Sequence, residues 1–286
     1  MILVTGATGQ LGRAVTETLL KKTSADQVAA LVRDEGKAAA LRESGIRLRI
    51  GSYDDAGSLD RAMQGIQKVL LIAGTDEDRR VEQHRNVVEA AKKAGVQAIA
   101  YTSRTLKDRN TLENKLMLGH FETEELIVRS GLDYTIFRNV LYMDVLPQFL
   151  GERVFEDGIR LPTGPGRVPF ALRRDMGEAI ANELLSEGGG KRLYKFTGRE
   201  AYSFADVAAA LSELTGKAVA YQPVEKSDFE AQLKARGLPD VVARRIVGFM
   251  MDIKNGQEDE VTSDLEDWLG RPPTPLREGL KLLFKR

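Results

Sequence analysis

Three glycines, Gly6, Gly9 and Gly12, stand three residues apart in "LVTGATGQLGR" (Leu3 to Arg13), directly after an apolar run and at the opening of a helical pattern. In that setting each has a task that a side chain would obstruct. One permits a tight turn, the next lets a pyrophosphate approach the backbone, and the third lets helix and strand pack closely. The unpaired N–H groups at the helix start, with the helix dipole, then attract the phosphates. The spacing predicts a dinucleotide-binding turn; a purely structural turn is the alternative.

The next run, "VAALV", ends in Arg33, with Asp34 beside it and Lys37 one turn on. An acidic residue at this place suits a free ribose 2′-hydroxyl, whereas a 2′-phosphate needs a cation. A guanidinium offers a fork of donors to a phosphate and Lys37 adds point charge, so NADP is expected over NAD, with Asp34 as the counter-argument. The third run leads into "GSYDD", where Tyr53 and Asp54 are placed to reach an adenine edge or, equally, to form a turn with an Asx cap before the helix near Ser58.

These residues need a frame to hold them. Strands are expected at 2–5, 28–33, 47–51, 68–73, 98–103, 134–139 and 192–197, with helices near 11–22, 36–44, 58–66, 76–94, 119–130 and 175–186. Short Val/Ile/Leu runs alternating with helical periods are the pattern of successive βαβ units. The expected fold is α/β, a Rossmann-type doubly wound parallel sheet with a smaller, mostly helical C-terminal lobe. Residues 1–150 would form the NAD(P)-binding part, and 151–286 the remaining sheet elements plus a small substrate-binding lobe. Ser203 reads as the N-cap and Gly216 as the stop of a helix over "SFADVAAALSELTGK".

Composition narrows the partners. The 42 basic and 42 acidic side chains cancel, so nothing draws the chain to nucleic acid or an anionic membrane surface, and a small molecule is the expected partner. With no cysteine there are no disulfides, thiolate metal sites or cysteine nucleophiles. No apolar run reaches the ~18 residues of a membrane span, and the first strand begins at residue 2; the cytoplasm is the expected location. No H-x-x-x-H, carboxylate pair at ligand spacing or G-x-S-x-G is present, so neither a metal nor a hydrolase triad is expected.

The series "VTGATGQLG", "ALVRD", "GSYDD", "HFETEELIVRSGLDYTIFRN", "LYMD" and "LGRPPTPL" resembles the NmrA-like atypical short-chain dehydrogenase/reductases. Within them it is similar to the branch of type 2 quinone oxidoreductases and triphenylmethane reductases. The likeness covers nearly the whole chain. It implies an NADP site at Gly6, Thr8, Gly9, Gln10, Leu11, Arg33, Tyr53 and Asp54, with Ala73 and Gly74 at the end of the fourth strand. Thr102 and Ser103 would lie beside the nicotinamide ribose, and Arg138, Asn139 and Tyr142 would flank the nicotinamide and open toward substrate.

Typical members of the wider superfamily exchange a proton through a Ser with a Tyr-x-x-x-Lys pair, the lysine lowering the tyrosine pKa. Here Ser103 is in place, but "GHFETEEL" puts His120 and Glu124 where Tyr and Lys would stand. That departure argues against ordinary alcohol/ketone chemistry. It still permits hydride transfer to a quinone or similar conjugated apolar acceptor, for which catalysis is mainly stacking and orientation and no flavin is needed. Ser103, His120 and Tyr142 are the candidate catalytic residues.

Phe249 and Met250 of the "FMM" triplet are candidate substrate contacts, core packing being the alternative, and Trp268 is expected to anchor the C-terminal lobe. Gly164, Pro165 and Gly166 would make a mobile or tight loop over the cleft. Two other functions compete: an NADP-binding redox sensor that catalyses nothing and binds a protein partner, and a nucleotide-sugar epimerase or reductase, whose chemistry leans on the missing Tyr/Lys pair.

Overall fold

The computed structural model describes residues 1–187 and 189–284, with only the backbone of Lys37. Seven parallel strands form the central sheet: β1 (Ile2–Val4), β2 (Val28–Val32), β3 (Arg47–Ile50), β4 (Lys68–Leu71), β5 (Ala98–Arg104), β6 (Asp133–Asn139) and β8 (Lys191–Phe196). A two-residue β7 (Arg167–Val168) pairs with β9 (Tyr202–Ser203) in a separate antiparallel ribbon. The sheet order is β3-β2-β1-β4-β5-β6-β8, so the winding reverses between β1 and β4 and opens a crevice there at the carboxyl ends of the strands.

The seven expected strands all form, to within two residues at their ends. Their apolar character explains why. β2 is buried along its whole length, as a parallel strand covered on both faces must be. Alternate residues serve opposite layers: Leu3, Leu31, Val69, Leu71, Ile99 and Tyr101 join one core, and Ile2, Val4, Val28, Ala30, Leu70 and Phe137 join the other.

The first layer packs under α3 (Ala56–Ala62), α4 (Arg80–Lys93) and α5 (Leu118–Arg129), and the second under α1 (Gln10–Lys22) and α8 (Arg173–Leu185). A short α2 (Ala39–Glu43) precedes the edge strand β3. Beyond residue 140 the sequence suggests a loosening, yet two short helices form, α6 (Leu146–Leu150) and α7 (Val154–Asp157). Each stops at a glycine with positive φ, Gly151 and Gly158, and each is too short to show a helical period.

α9 (Phe204–Thr215) begins at a Ser203/Asp206 capping box and ends at Gly216 in the left-handed conformation, as expected. α10 (Lys226–Ala235), α11 (Asp240–Lys254), α12 (Asp264–Leu269) and α13 (Leu276–Leu283) complete the helical lobe. Trp268 anchors it: the indole packs edge-on against Tyr194 of β8 and its carbonyl accepts from Asn182 of α8 at 2.7 Å.

The Gly164 to Gly166 turn is the tight alternative and not a lid. A Cβ on Gly166 would stand 2.3 Å from the Ile253 carbonyl of α11, and the Tyr221 hydroxyl donates to the Gly164 carbonyl at 2.9 Å. Among the described residues no helix is long and apolar enough to cross a membrane.

Candidate active site

The turn between β1 and α1 has the geometry its glycines announce. Gly6 has φ +59°, and a Cβ on Gly12 would sit 2.3 Å from the Gly6 carbonyl and 2.7 Å from the Ala7 Cα, both immovable backbone. Gly9 caps α1 with no side-chain acceptor, and the first turn carries no acidic residue. The helix start therefore keeps its N–H groups for an anion in the crevice. Leu11 anchors the helix in the core, the Thr8 carbonyl holds Arg13 Nε at 3.0 Å, and Gln10 accepts from Arg173 Nη1 at 2.7 Å.

At the end of β2 the two competing side chains separate. Arg33 is exposed and has no hydrogen-bond or ion-pair partner among the described residues, whereas Asp34 accepts through Oδ1 from the Gly36 N–H of its own turn at 2.8 Å. The Lys37 side chain lies outside the described residues. A backbone cradle that a Cβ would fill, an uncapped helix start and an unpartnered guanidinium fit a dinucleotide carrying a 2′-phosphate.

Tyr53 turns its hydroxyl inward, to Thr5 Oγ1 and to the Ile72 carbonyl at 2.9 Å, so it offers a ring wall and no polar contact to a nucleotide. Asp54 accepts through Oδ1 from Gln83 Nε2 at 3.0 Å and pairs with Arg79 Nη2 at 2.9 Å. The β4 exit is fixed by Thr102, whose Oγ1 accepts from the Ala73 N–H at 2.9 Å. Gly74 donates its N–H to His84 Nε2 at 3.0 Å.

That last bond sets a tautomer. His84 Nε2 is an acceptor, so Nδ1 carries the proton and donates to Thr123 Oγ1 at 2.9 Å, while Thr123 passes its own hydrogen to the Gly119 carbonyl at 2.7 Å. Burial, seconded by Arg80, pulls the His84 pKa down to about 3. His120 is buried beside it, its Nδ1 2.9 Å from the Tyr101 hydroxyl and its pKa well below the ordinary value, again chiefly through burial. It is a neutral imidazole whose Nε2 remains for a ligand.

Ser103 takes a different path. Its hydroxyl donates to Glu124 Oε1 at 2.5 Å, and Glu124 is gripped by Arg138 through Nε at 2.9 Å and Nη2 at 2.6 Å. The structure thus draws Ser103 and Arg138 into a buried network, and Glu124 and Arg138 line a groove over β6 and β8 that shares no residue with the cleft holding His120. Ser103, its hydrogen given to a carboxylate, is not among the residues lining the cleft that holds His120.

The cleft holding His120 has a volume of about 430 Å³. Phe149, Phe249, Met250 and Met117 give it apolar walls, and Arg80, Arg104 and Arg245 give it a polar side. Asn139 Nδ2 donates to the Tyr142 hydroxyl at 3.1 Å, leaving the buried Asn139 Oδ1 without a partner among the described residues. The Arg173 guanidinium lies 4.3 Å above the Tyr142 ring. Burial raises the Tyr142 pKa, so its phenol keeps its proton at neutral pH.

The NmrA-like family model matches residues 1–270. The chain belongs to that family. Escherichia coli quinone oxidoreductase 2 is 38% identical over 287 aligned residues, 99% of each chain. The crystal structure of the E. coli NADPH-dependent quinone oxidoreductase QOR2 complexed with NADPH superposes with a TM-score of 0.94 over 100% of both chains at 37% identity. The Citrobacter sp. triphenylmethane reductase complexed with NADP(H) gives 0.92 at 35% identity, over 99% of this chain and 100% of that one.

Against this NmrA-like frame, sequence reasoning missed Arg80, Arg104, Asn114, Phe149 and Arg245 of the cleft. It also missed the acids that assemble it. Asp252, at the end of α11, accepts from the Glu113 and Asn114 N–H groups at 2.7 and 3.1 Å. Glu258, buried, accepts from Arg104 and from the Leu141 N–H at 2.7 Å. A local signal was the single acid among apolar neighbours in "MMDIK"; the acidic run "GQEDE", which holds Glu258, reads as a solvated face.

Proposed function

We propose that this NmrA-like chain is an NADPH-dependent oxidoreductase that passes hydride to a quinone or similar conjugated apolar acceptor. The observation that carries the reading is the adjacency of two sites: the Gly74 carbonyl and N–H, at the cofactor end of β4, are bound by Arg80 and His84, and Arg80 lines the aromatic and methionine cleft. Residues 1–150 would hold the dinucleotide through the Gly6, Gly9 and Gly12 turn, with Arg33 on the 2′-phosphate, while α11 closes the acceptor cleft.

When bound, NADPH supplies the hydride, which with one proton converts a quinone to a hydroquinone and leaves NADP⁺. Phe249, Met250 and Phe149 exclude water and orient a planar ring. His120, neutral and held through Nδ1, offers Nε2 to an acceptor oxygen; Tyr142, held by Asn139, is a protonated phenol that is not among the cleft's lining residues. The reading requires no flavin and no metal. We infer that the protein works in the cytoplasm, drawing on the NADPH pool there.

The test is NADPH oxidation by purified protein against small quinones and a triphenylmethane dye, with NADH in parallel and with Arg33→Asp alongside wild type. The expected result is turnover with NADPH preferred. A charge-assisted contact to the 2′-phosphate is worth about 2 kcal/mol, so Arg33→Asp is expected to lower kcat/KM for NADPH roughly 30-fold and that for NADH by less than about threefold. Equal losses on both cofactors defeat the cofactor assignment. NADP binding by calorimetry without any turnover points instead to the redox sensor.

A further inference from the structure

The acceptor cleft carries a polar bias that its apolar walls do not require. Three guanidiniums, of Arg80, Arg104 and Arg245, line it, and Glu77 is the one carboxylate among its lining residues. Arg80 is the clearest case, for it is 4% exposed and poorly neutralised. Its Nε and Nη1 donate to the Gly74 and Leu116 carbonyls at 3.4 and 3.1 Å, and the Glu77 carboxylate stands 4.0 Å from Nη2. A guanidinium buried against two carbonyl dipoles and a distant carboxylate is left with uncompensated charge.

The other two are matched from outside the cleft. Arg104 pairs through Nη2 with Glu258, which is not a lining residue, and Nη1 has no partner among the described residues. Arg245 gives Nη2 to Asp78, which is 60% exposed and also stands outside the lining. The Arg104 guanidinium also lies 5.6 Å from the centre of the Phe249 ring, so a cation and an apolar platform share one wall. His120, neutral, adds no opposing or reinforcing charge.

We propose that this cleft selects conjugated acceptors carrying an anionic substituent, such as a carboxylate, a sulfonate or an ionised hydroxyl. The ring lies against Phe249 and Met250, and the anion lies among Arg80, Arg104 and Arg245. The proposal rests on the reductase reading and narrows its acceptor class.

Calorimetric titration separates this idea from the reductase reading, because it uses a probe that accepts no hydride. Naphthalene-2-sulfonate and the neutral 2-naphthol are titrated into NADP⁺-saturated protein at low and high salt. The sulfonate is expected to bind at least about tenfold more tightly, and the advantage to shrink roughly fivefold or more in Arg245→Gln and to reverse in Arg245→Glu. Arg245 is chosen because its side chain is 31% exposed, whereas Arg80 holds two buried carbonyls.

In a second arm, the kcat/KM ratio of 1,4-naphthoquinone-2-sulfonate to 1,4-naphthoquinone is expected to fall in the same variants by about the same factor. Equal binding of sulfonate and naphthol, or an advantage that both Arg245 variants leave intact, overturns the proposal. If no acceptor is reduced, the reductase reading fails, and the titration alone decides whether the anion site exists.

Discussion

The cofactor turn and the acceptor cleft are built in opposite ways. The turn is one continuous segment, Leu3 to Arg13, whose fit is a matter of backbone: Gly6 at positive φ, and Gly12 against the Gly6 carbonyl. The cleft is gathered from five places, the β4–α4 loop with α4, the end of β5, the start of α5, α6 and α11. It is held by buried polar residues far apart in the chain, among them Glu258 with Arg104 and Asp252 with Glu113 and Asn114. The turn is rigid because nothing else fits, and the cleft is ordered because several polar groups are satisfied together.

Gly12→Ala should break the turn most sharply. Its Cβ meets backbone at 2.3 Å, so either α1 lifts or the turn opens. The expected loss is about 3 kcal/mol of stability and more than about 100-fold in NADPH affinity, read by calorimetry and thermal unfolding. The cleft should survive in whatever fraction folds, so binding of an acceptor analogue is expected to remain within a few-fold of wild type. Loss of both together would show that the two regions are one unit.

Acid should sharpen the contrast from the other side. The back of the cleft rests on His84 and His120, both buried and neutral, while the glycine turn contains no ionisable side chain before Arg13. A histidine with a folded pKa of about 3 binds its proton more readily when unfolded, so its contribution is complete above about pH 6.5 and is lost as pH falls toward 3. For His84 alone the expected loss is about 2 kcal/mol by pH 5. Denaturant unfolding between pH 7 and 5 measures it. Hydrogen exchange should show α4 and α5 loosening before the start of α1; uniform loosening would count against the contrast.

The same contrast explains what was legible in the sequence. The sheet, its order-reversing crevice and the Gly6, Gly9, Gly12 turn rest on local patterns, apolar runs and glycine spacing, which a single strand and helix suffice to display. At Arg33 and Asp34 too the first contact is local, the Gly36 N–H two residues on binding Asp34. The cleft arginines were not legible, because Arg80, Arg104 and Arg245 are ordinary surface-type residues until folding buries or half-buries them on one space. Ser103 was only half legible, for a related reason. Its type matched a catalytic serine, but its partner was decided by Glu124, 21 positions away, and by Arg138 on the next strand.

That partner gives the smallest expected effect and a pointed test. Removing the Ser103 hydroxyl takes one hydrogen bond from a carboxylate that keeps both bonds to Arg138, so Ser103→Ala should cost about 1 kcal/mol in stability. Because the network faces the groove over β6 and β8 and not the cleft, kcat and KM per folded molecule are expected to stay within about twofold of wild type. A serine that positioned the acceptor or moved a proton would instead lower kcat by at least about tenfold with little change in stability. Unfolding and turnover measured on one preparation of Ser103→Ala therefore separate a structural hydroxyl from a catalytic one, since each role predicts the loss that the other spares.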